Sequence, residues 1–343
     1  MPRILAVQSH VVRGHVGNCA ATLPLQLLGC DVDPLNTVQV SNHSGYPVIK
    51  GHRHARDFFA DVFAALRDNG HDADYQLILT GYMGLPEGVP AVADGIRSIL
   101  ERNSSTLYVL DPVLGDNGRL YLPREMIDVY KTHFFPLTSV MTPNQFEAEL
   151  LAAAEDAESA SGSPIVDTAS AVHTARRLAA RSAASLVIVT TLDTPDVADT
   201  DTLALLVYTP GTTAVPERAW TVRYPRLTAH FTGTGDLFSA LLSGTLAARG
   251  VHCAGPGAPL LEPAGTVFDA ATAVSRCVWA MQQVLHRTQA EAEAAITPAD
   301  GRAALLRKRE LRLVQSRADI ARTLEVTPAE VAASGVLVAS IAI

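Results

Sequence analysis

The chain has 343 residues, 48% hydrophobic and 18% charged. That balance excludes a disordered chain and allows one large α/β domain or two small ones. With 27 basic and 35 acidic residues the formal net charge is -8, which gives no electrostatic reason to bind nucleic acid or an anionic membrane. An acidic protein that handles a polyanion must build positive potential locally, from backbone amides, metal ions and a few basic side chains.

No signal-peptide h-region follows Met1, and no apolar run is long enough to span a bilayer. Cys19, Cys30, Cys253 and Cys277 show no C-x-x-C spacing, so buried thiols in the cytoplasm are the expectation. Short β-rich runs at 4–7, 77–79, 107–110, 139–141 and 186–189 each end in small or polar residues, namely Gln8-Ser9, Thr80-Gly81, Asp111, Thr142-Pro143 and Thr190-Thr191. Helical patterns fill the intervals at 55–69, 89–101 and 169–182. Apolar strands alternating with helices predict an α/β fold, a parallel sheet covered on both faces. Ligands of such sheets bind beyond the carboxyl ends of the strands, where the polar residues just named would converge.

Three segments break the rhythm. Residues 39–51, with Asn42-His43-Ser44-Gly45-Tyr46-Pro47, predict a flap over the site. Residues 152–164 read as an exposed loop, and 250–265, with Gly255-Pro256-Gly257, as an irregular insertion. Neither has the character of a domain linker. The closing 335–343 is apolar but about half the length of a membrane span, and reads as a docking tail or a frayed end.

The sharpest local signal is Gly233-Thr234-Gly235-Asp236 ahead of a strongly helical stretch. Glycines permit a turn that side chains would block, and the helix start offers unpaired N–H groups and a positive dipole end. This predicts an anion hole with Asp236 beside it as a general base for an attacking hydroxyl; alternatively Asp236 is only a helix N-cap. Asp111-Pro112-Val113-Leu114-Gly115-Asp116 sets two carboxylates at a strand mouth, suited to a cation near polyphosphate or simply to a turn. Asn144 and Glu147, three apart, share a helix face, as ligands or as a capping box. A G-x-x-x-x-G-K-[ST] loop is missing, and no G-x-G-x-x-G follows the first strand. The crowded His10, His15, His43, His52 and His54 lack zinc-type spacing; His43 stands out only because it lies in the flap.

Together these motifs resemble the pyridoxal kinases of the ribokinase superfamily, in the eukaryotic form. The resemblance rests on Ser9-His10-Val11-Val12-Arg13-Gly14-His15-Val16-Gly17-Asn18, on Ser41 to Tyr46, and on Leu79-Thr80-Gly81-Tyr82. It continues through Asp111 to Asp116, Thr142 to Leu151 (TPNQFEAELL), Gly233 to Asp236 and the late Glu310 to Ser316 (ELRLVQS). It implies a three-layer α/β/α sandwich with a mostly parallel central sheet and a small β flap. The kinase domain would span 1–322, with loop insertions around 152–164 and 250–265, followed by a tail at 323–343. It implies a homodimer that phosphorylates the 5′-hydroxymethyl group of pyridoxal, pyridoxine and pyridoxamine with ATP, aided by Mg²⁺ and K⁺ (or Na⁺).

Carried over residue by residue, Asp236 would be the base and Gly233, Thr234 and Gly235 the anion hole. Ser9 would hydrogen-bond the pyridine ring, with Val16, His43, Ser44 and Tyr82 around the vitamer. The family more often has Thr at position 44, so a methyl contact is lost while the hydroxyl stays. Asn144, Thr190, Thr191 and Leu227 would contact ATP, with Tyr121 on the loop that covers it. Asp116 and Glu147 would hold Mg²⁺; Asp111, Thr142 and Thr190 would place the monovalent cation. The segment 191–208 and the stretch after Arg218 match the family poorly, and the 250–265 insertion is expected near the nucleotide side. The rivals are a hydroxymethylpyrimidine kinase, which shares the Gly-Thr-Gly-Asp motif, a B6-binding regulator without catalysis, and, more distantly, an NAD-dependent oxidoreductase.

Overall fold

A computed structural model describes residues 1–153 and 164–343; the predicted loop at 152–164 falls almost wholly outside them. The strands in chain order are β1 (Arg3–Val11), β2 (Asp31–Val40), β3 (Gly51–Arg53), β4 (Tyr75–Thr80), β5 (Leu107–Leu110), β6 (Gly115–Asp116) and β7 (Arg119–Leu120). They continue as β8 (Val140–Met141), β9 (Leu186–Leu192), β10 (Thr202–Thr209), β11 (Arg218–Pro225), β12 (His252–Cys253), β13 (Leu260–Leu261) and β14 (Leu337–Ile341). Among the described residues ten of these form one sheet, in the order β14-β11-β10-β9-β8-β5-β4-β1-β2-β3. The run from β9 to β2 is parallel throughout, and the strands at both ends pair antiparallel.

Alternation along each central strand builds two cores. Ile4, Leu77, Leu79, Leu107, Val109, Leu186 and Ile188 point to one face and pack against the helices Asn18–Leu27, Thr234–Ala248 and Ala270–Ala295. Leu5, Val7, Ile78, Tyr108, Leu110, Val187 and Val189 point to the other, under the helices Arg56–Asp68, Val89–Arg102, Met126–His133 and Thr168–Arg181. Period-2 side chains with apolar residues on both faces are what a sheet sandwiched between helices requires. The result is the expected three-layer α/β/α architecture, with an antiparallel extension at each edge.

The chain leaves β1 toward β2 on one side, then returns to build β4, β5, β8 and β9 on the other. The strand order therefore reverses beside β1, and this switch point opens a crevice at the carboxyl ends. Residues 250–265 carry a small hairpin in which His252 pairs with Leu261 and Cys253 with Leu260. Here the structure corrects the sequence reading. The Gly257 N–H donates to the Ala183 carbonyl at 2.8 Å, and Cys253 Sγ lies 3.5 Å from Ser185 Oγ. Ala183 and Ser185 precede β9, whose far end carries Thr190, so the hairpin sits at the opposite end of the sheet from the residues expected at the nucleotide. Leu260 and the following Phe268 reach the core, which anchors it there. The closing segment adds β14 to the edge, with Ala219 to Arg223 of β11 paired to Ile341 through Leu337. No helix among the described residues is long and apolar enough to cross a membrane.

Candidate active site

Five parallel strands deliver the predicted polar residues to one edge, and a row of backbone hydrogen bonds aligns them. Gly81 N–H donates to Val7 O at 3.1 Å, Asp111 N–H to Thr80 O at 2.9 Å, Thr142 N–H to Leu110 O at 3.0 Å and Thr190 N–H to Pro143 O at 2.9 Å. Across this edge lies the start of the helix Thr234–Ala248. Its N-cap is Gly233, at φ 87° and ψ 9°, a left-handed conformation that disfavours any residue with a Cβ. An added Cβ there would also collide with the His15 carbonyl oxygen. The Thr234, Gly235 and Asp236 amides in the first turn are thus free of a side-chain cap and open to an anion.

Asp236 is the third residue of that helix and not its cap. Its carboxylate accepts the Gly17 N–H, and burial raises its pKa against that bond. A carboxylate tuned upward holds a proton more readily, which a general base requires. One turn on, Ser239 Oγ donates to Asp111 Oδ2 at 3.0 Å and lies 3.2 Å from Thr142 Oγ1. Ser239 is a site residue the sequence reading lacked; its only signal was the i, i+3 spacing from Asp236. Burial, with Glu147 and Asp236 nearby, raises the Asp111 pKa well above the usual range.

Asn144 and Glu147 form a capping box at the helix Gln145–Ala152. Glu147 Oε2 accepts the Asn144 N–H at 2.9 Å, and Oε1 accepts the Leu114 N–H at 2.8 Å and the Gly115 N–H at 3.3 Å. Asn144 Nδ2 donates to Gly115 O at 2.8 Å. The helix start thereby grips the loop that carries Asp116. Burial pushes the Glu147 carboxyl up to about 7 despite these donors. Asp116 heads the hairpin β6–β7, turned by Asn117 at φ 50° and Gly118 at φ 75°, the positive pair of a two-residue type I′ turn. Tyr121 follows it, 51% exposed.

Around the switch point, Ser9 is buried on β1 and its Oγ abuts the Gly17 backbone. Val16 packs in a small apolar cluster with Val11, Val38 and Val40, and Tyr82 lines it. His43 is buried in the flap while Ser44 is exposed. Thr190 and Thr191 lie inside β9 instead of after it, with Tyr224 Oη donating to Thr190 O at 3.4 Å. Leu227 is partly buried against the first core.

The chemistry of Asp111, Asp116, Glu147, Thr142 and Thr190 fits hard cations, since all present oxygen. Among the described residues no three His, Cys, Asp or Glu side chains gather tightly enough to hold a metal alone. A metal that takes one or two carboxylates and completes its shell with polyphosphate and water needs no such cage.

Residues 45–252 match the phosphomethylpyrimidine kinase family. Over 326 residues the chain is 34% identical to the pyridoxal kinase of Homo sapiens, covering 93% of this chain and 95% of that one. The chain belongs to the pyridoxal kinase family. A second member, from Arabidopsis thaliana, is 37% identical over 242 residues, 71% of this chain and 73% of its own. The fold agrees with that of the Leishmania donovani pyridoxal kinase in complex with ADP and pyridoxine at a TM-score of 0.78, with 30% identity and 99% of both chains covered.

Proposed function

We propose that this protein transfers the γ-phosphoryl group of ATP to the 5′-hydroxymethyl group of pyridoxal, pyridoxine and pyridoxamine. The observation that carries the reading is Asp236 in the first turn of an uncapped helix start, at the carboxyl edge of the sheet. In-line transfer needs an anion hole at the transferred phosphoryl group and a base within reach of the attacking hydroxyl. Gly233, Thr234 and Gly235 supply the first and Asp236 the second. The substrate hydroxyl gives its proton to Asp236 as its oxygen bonds to phosphorus, and the bond to the β-phosphate oxygen breaks, releasing ADP. Family membership over nearly the whole chain, and a family structure with ADP and pyridoxine, support this choice of substrates.

In this reading Ser9, Val16, His43, Ser44 and Tyr82 surround the vitamer. Asn144, Thr190, Thr191, Tyr121 and Leu227 attend the nucleotide. Asp116 and Glu147 would hold Mg²⁺, and Asp111, Thr142 and Thr190 would place K⁺ or Na⁺. These ions would neutralise the phosphates and the crowded carboxylates. A cytoplasmic homodimer is part of the same proposal, checked by light scattering and cell fractionation.

The test is formation of the 5′-phosphate from each vitamer with ATP, with and without Mg²⁺ and K⁺. The match of residues 45–252 to the phosphomethylpyrimidine kinase family favours one rival, a hydroxymethylpyrimidine kinase. Faster turnover of the pyrimidine in a side-by-side assay would establish it. Vitamer binding without any product would point to a non-catalytic regulator.

A further inference from the structure

Glu310 lies just past the helix Arg302–Lys308, far along the chain from every residue assigned above. Its Oε1 accepts the Tyr46 hydroxyl at 2.9 Å and stands 3.4 Å from His43 Nε2. Its Oε2 accepts the His15 N–H at 3.2 Å. His43 Nδ1 accepts the Gly45 N–H at 3.2 Å, so the ring carries its proton on Nε2, toward Glu310. From the preceding helix, Arg302 donates to the Gly45 carbonyl at 3.2 Å. The Glu310 side chain is 10% exposed and that of His43 6%. A carboxylate with three donors and little water is an anchor rather than a surface ion pair.

The three donors come from two separate loops. His43 and Tyr46 belong to the flap, while His15 belongs to the turn after β1, whose carbonyl covers Gly233. Glu310 Oε2 would stand 2.8 Å from a Cβ added at Gly14, so the carboxylate presses directly on that turn. We propose that Glu310 is a positioning residue that locks the flap to the Gly14–His15 turn, setting the vitamer pocket in register with the phosphoryl-transfer loop at Gly233. The inference rests on the proposed placement of His43 at the vitamer and of Gly233 in the anion hole. A glutamine keeps the shape but must turn an NH₂ toward at least one of the donors, which breaks the lock without leaving a cavity.

The experiment compares wild type, Glu310→Gln, Tyr46→Phe and the double variant. It reads steady-state kinetics with pyridoxal and ATP varied in turn, calorimetric binding of pyridoxine without turnover, and thermal unfolding. Glu310→Gln should raise the pyridoxal KM and the pyridoxine Kd about tenfold, with the ATP KM within about twofold. Tyr46→Phe should add little on top of Glu310→Gln, because both act through one interaction. Unchanged vitamer KM and Kd, or equal losses for vitamer and ATP, would overturn the inference and leave Glu310 a structural tie. A wild-type protein that phosphorylates no vitamer would instead sink the functional reading itself.

Discussion

At Asp236 burial and a hydrogen bond act in opposite directions: burial raises the carboxyl and the Gly17 N–H holds part of that rise back. The motif alone left the residue between base and helix cap; the structure removes the cap, because Gly233 occupies that position. Asp236→Ala should lower kcat by about 10²–10⁴, the scale of general-base catalysis, with the ATP dissociation constant largely kept. Initial rates and nucleotide binding check this, and near-normal turnover would remove the assignment. Ser239 poses a separate question. Its hydroxyl joins Asp111 to Thr142, two residues proposed to place the monovalent cation, and supplies the hydrogen bond that offsets the raised Asp111 pKa. Ser239→Ala should therefore raise the K⁺ concentration for half-maximal activity several-fold while the vitamer KM stays near wild type. A bond to a charged group is worth about 1.5–3 kcal/mol, enough for such a shift. A K⁺ response identical to wild type would make Ser239 a packing residue.

At the scale of elements, the capping box of Asn144 and Glu147 is also a brace. The box starts the helix Gln145–Ala152, and the same two side chains hold Leu114 and Gly115 at the base of the β6–β7 hairpin. Asn144→Ala removes the cap and the bond to the Gly115 carbonyl, an expected loss of about 1–2 kcal/mol in chemical denaturation. It should also raise the ATP KM, since the hairpin with Asp116 loses its fixed base; a lower stability with an unchanged ATP KM would confine Asn144 to capping. The central strands β1, β4, β5, β8 and β9 were legible because buried parallel strands must be apolar on both faces. Strand β2 was not: Asp31, Asp33, Pro34 and Asn36 are turn-favouring residue types, and the segment becomes a strand by pairing with β1 near the sheet edge. The helix Asn18–Leu27 was hidden in the same way by Pro24 in its interior. Strand-end residues were readable because topology brings them together, whereas Ser239 and Glu310 needed contacts 128 to 295 residues apart.

On the scale of the whole molecule, the sheet separates the candidate site from edge protection. One edge is β3, three exposed residues that include His52 and Arg53, a short charged edge that resists pairing with another chain. The other is β14, which covers β11 through five residue pairs although Leu337 and Val338 are 56% and 44% exposed. Its contribution is therefore backbone pairing more than burial. The residues proposed for catalysis and cation binding begin at β9, and β10 and β11 stand between β9 and β14. Three strand spacings amount to about 14 Å. Deleting residues 337–343 should cost about 1–5 kcal/mol on the scale of cross-strand pairs, visible as a lower Tm. It should also bare the β11 edge, with faster aggregation on heating, while kcat at 25 °C stays within about twofold of wild type. Loss of kcat in a soluble truncated protein that keeps its Tm would mean that β14 acts on the nucleotide site through β11, whose Tyr224 hydroxyl reaches Thr190 O.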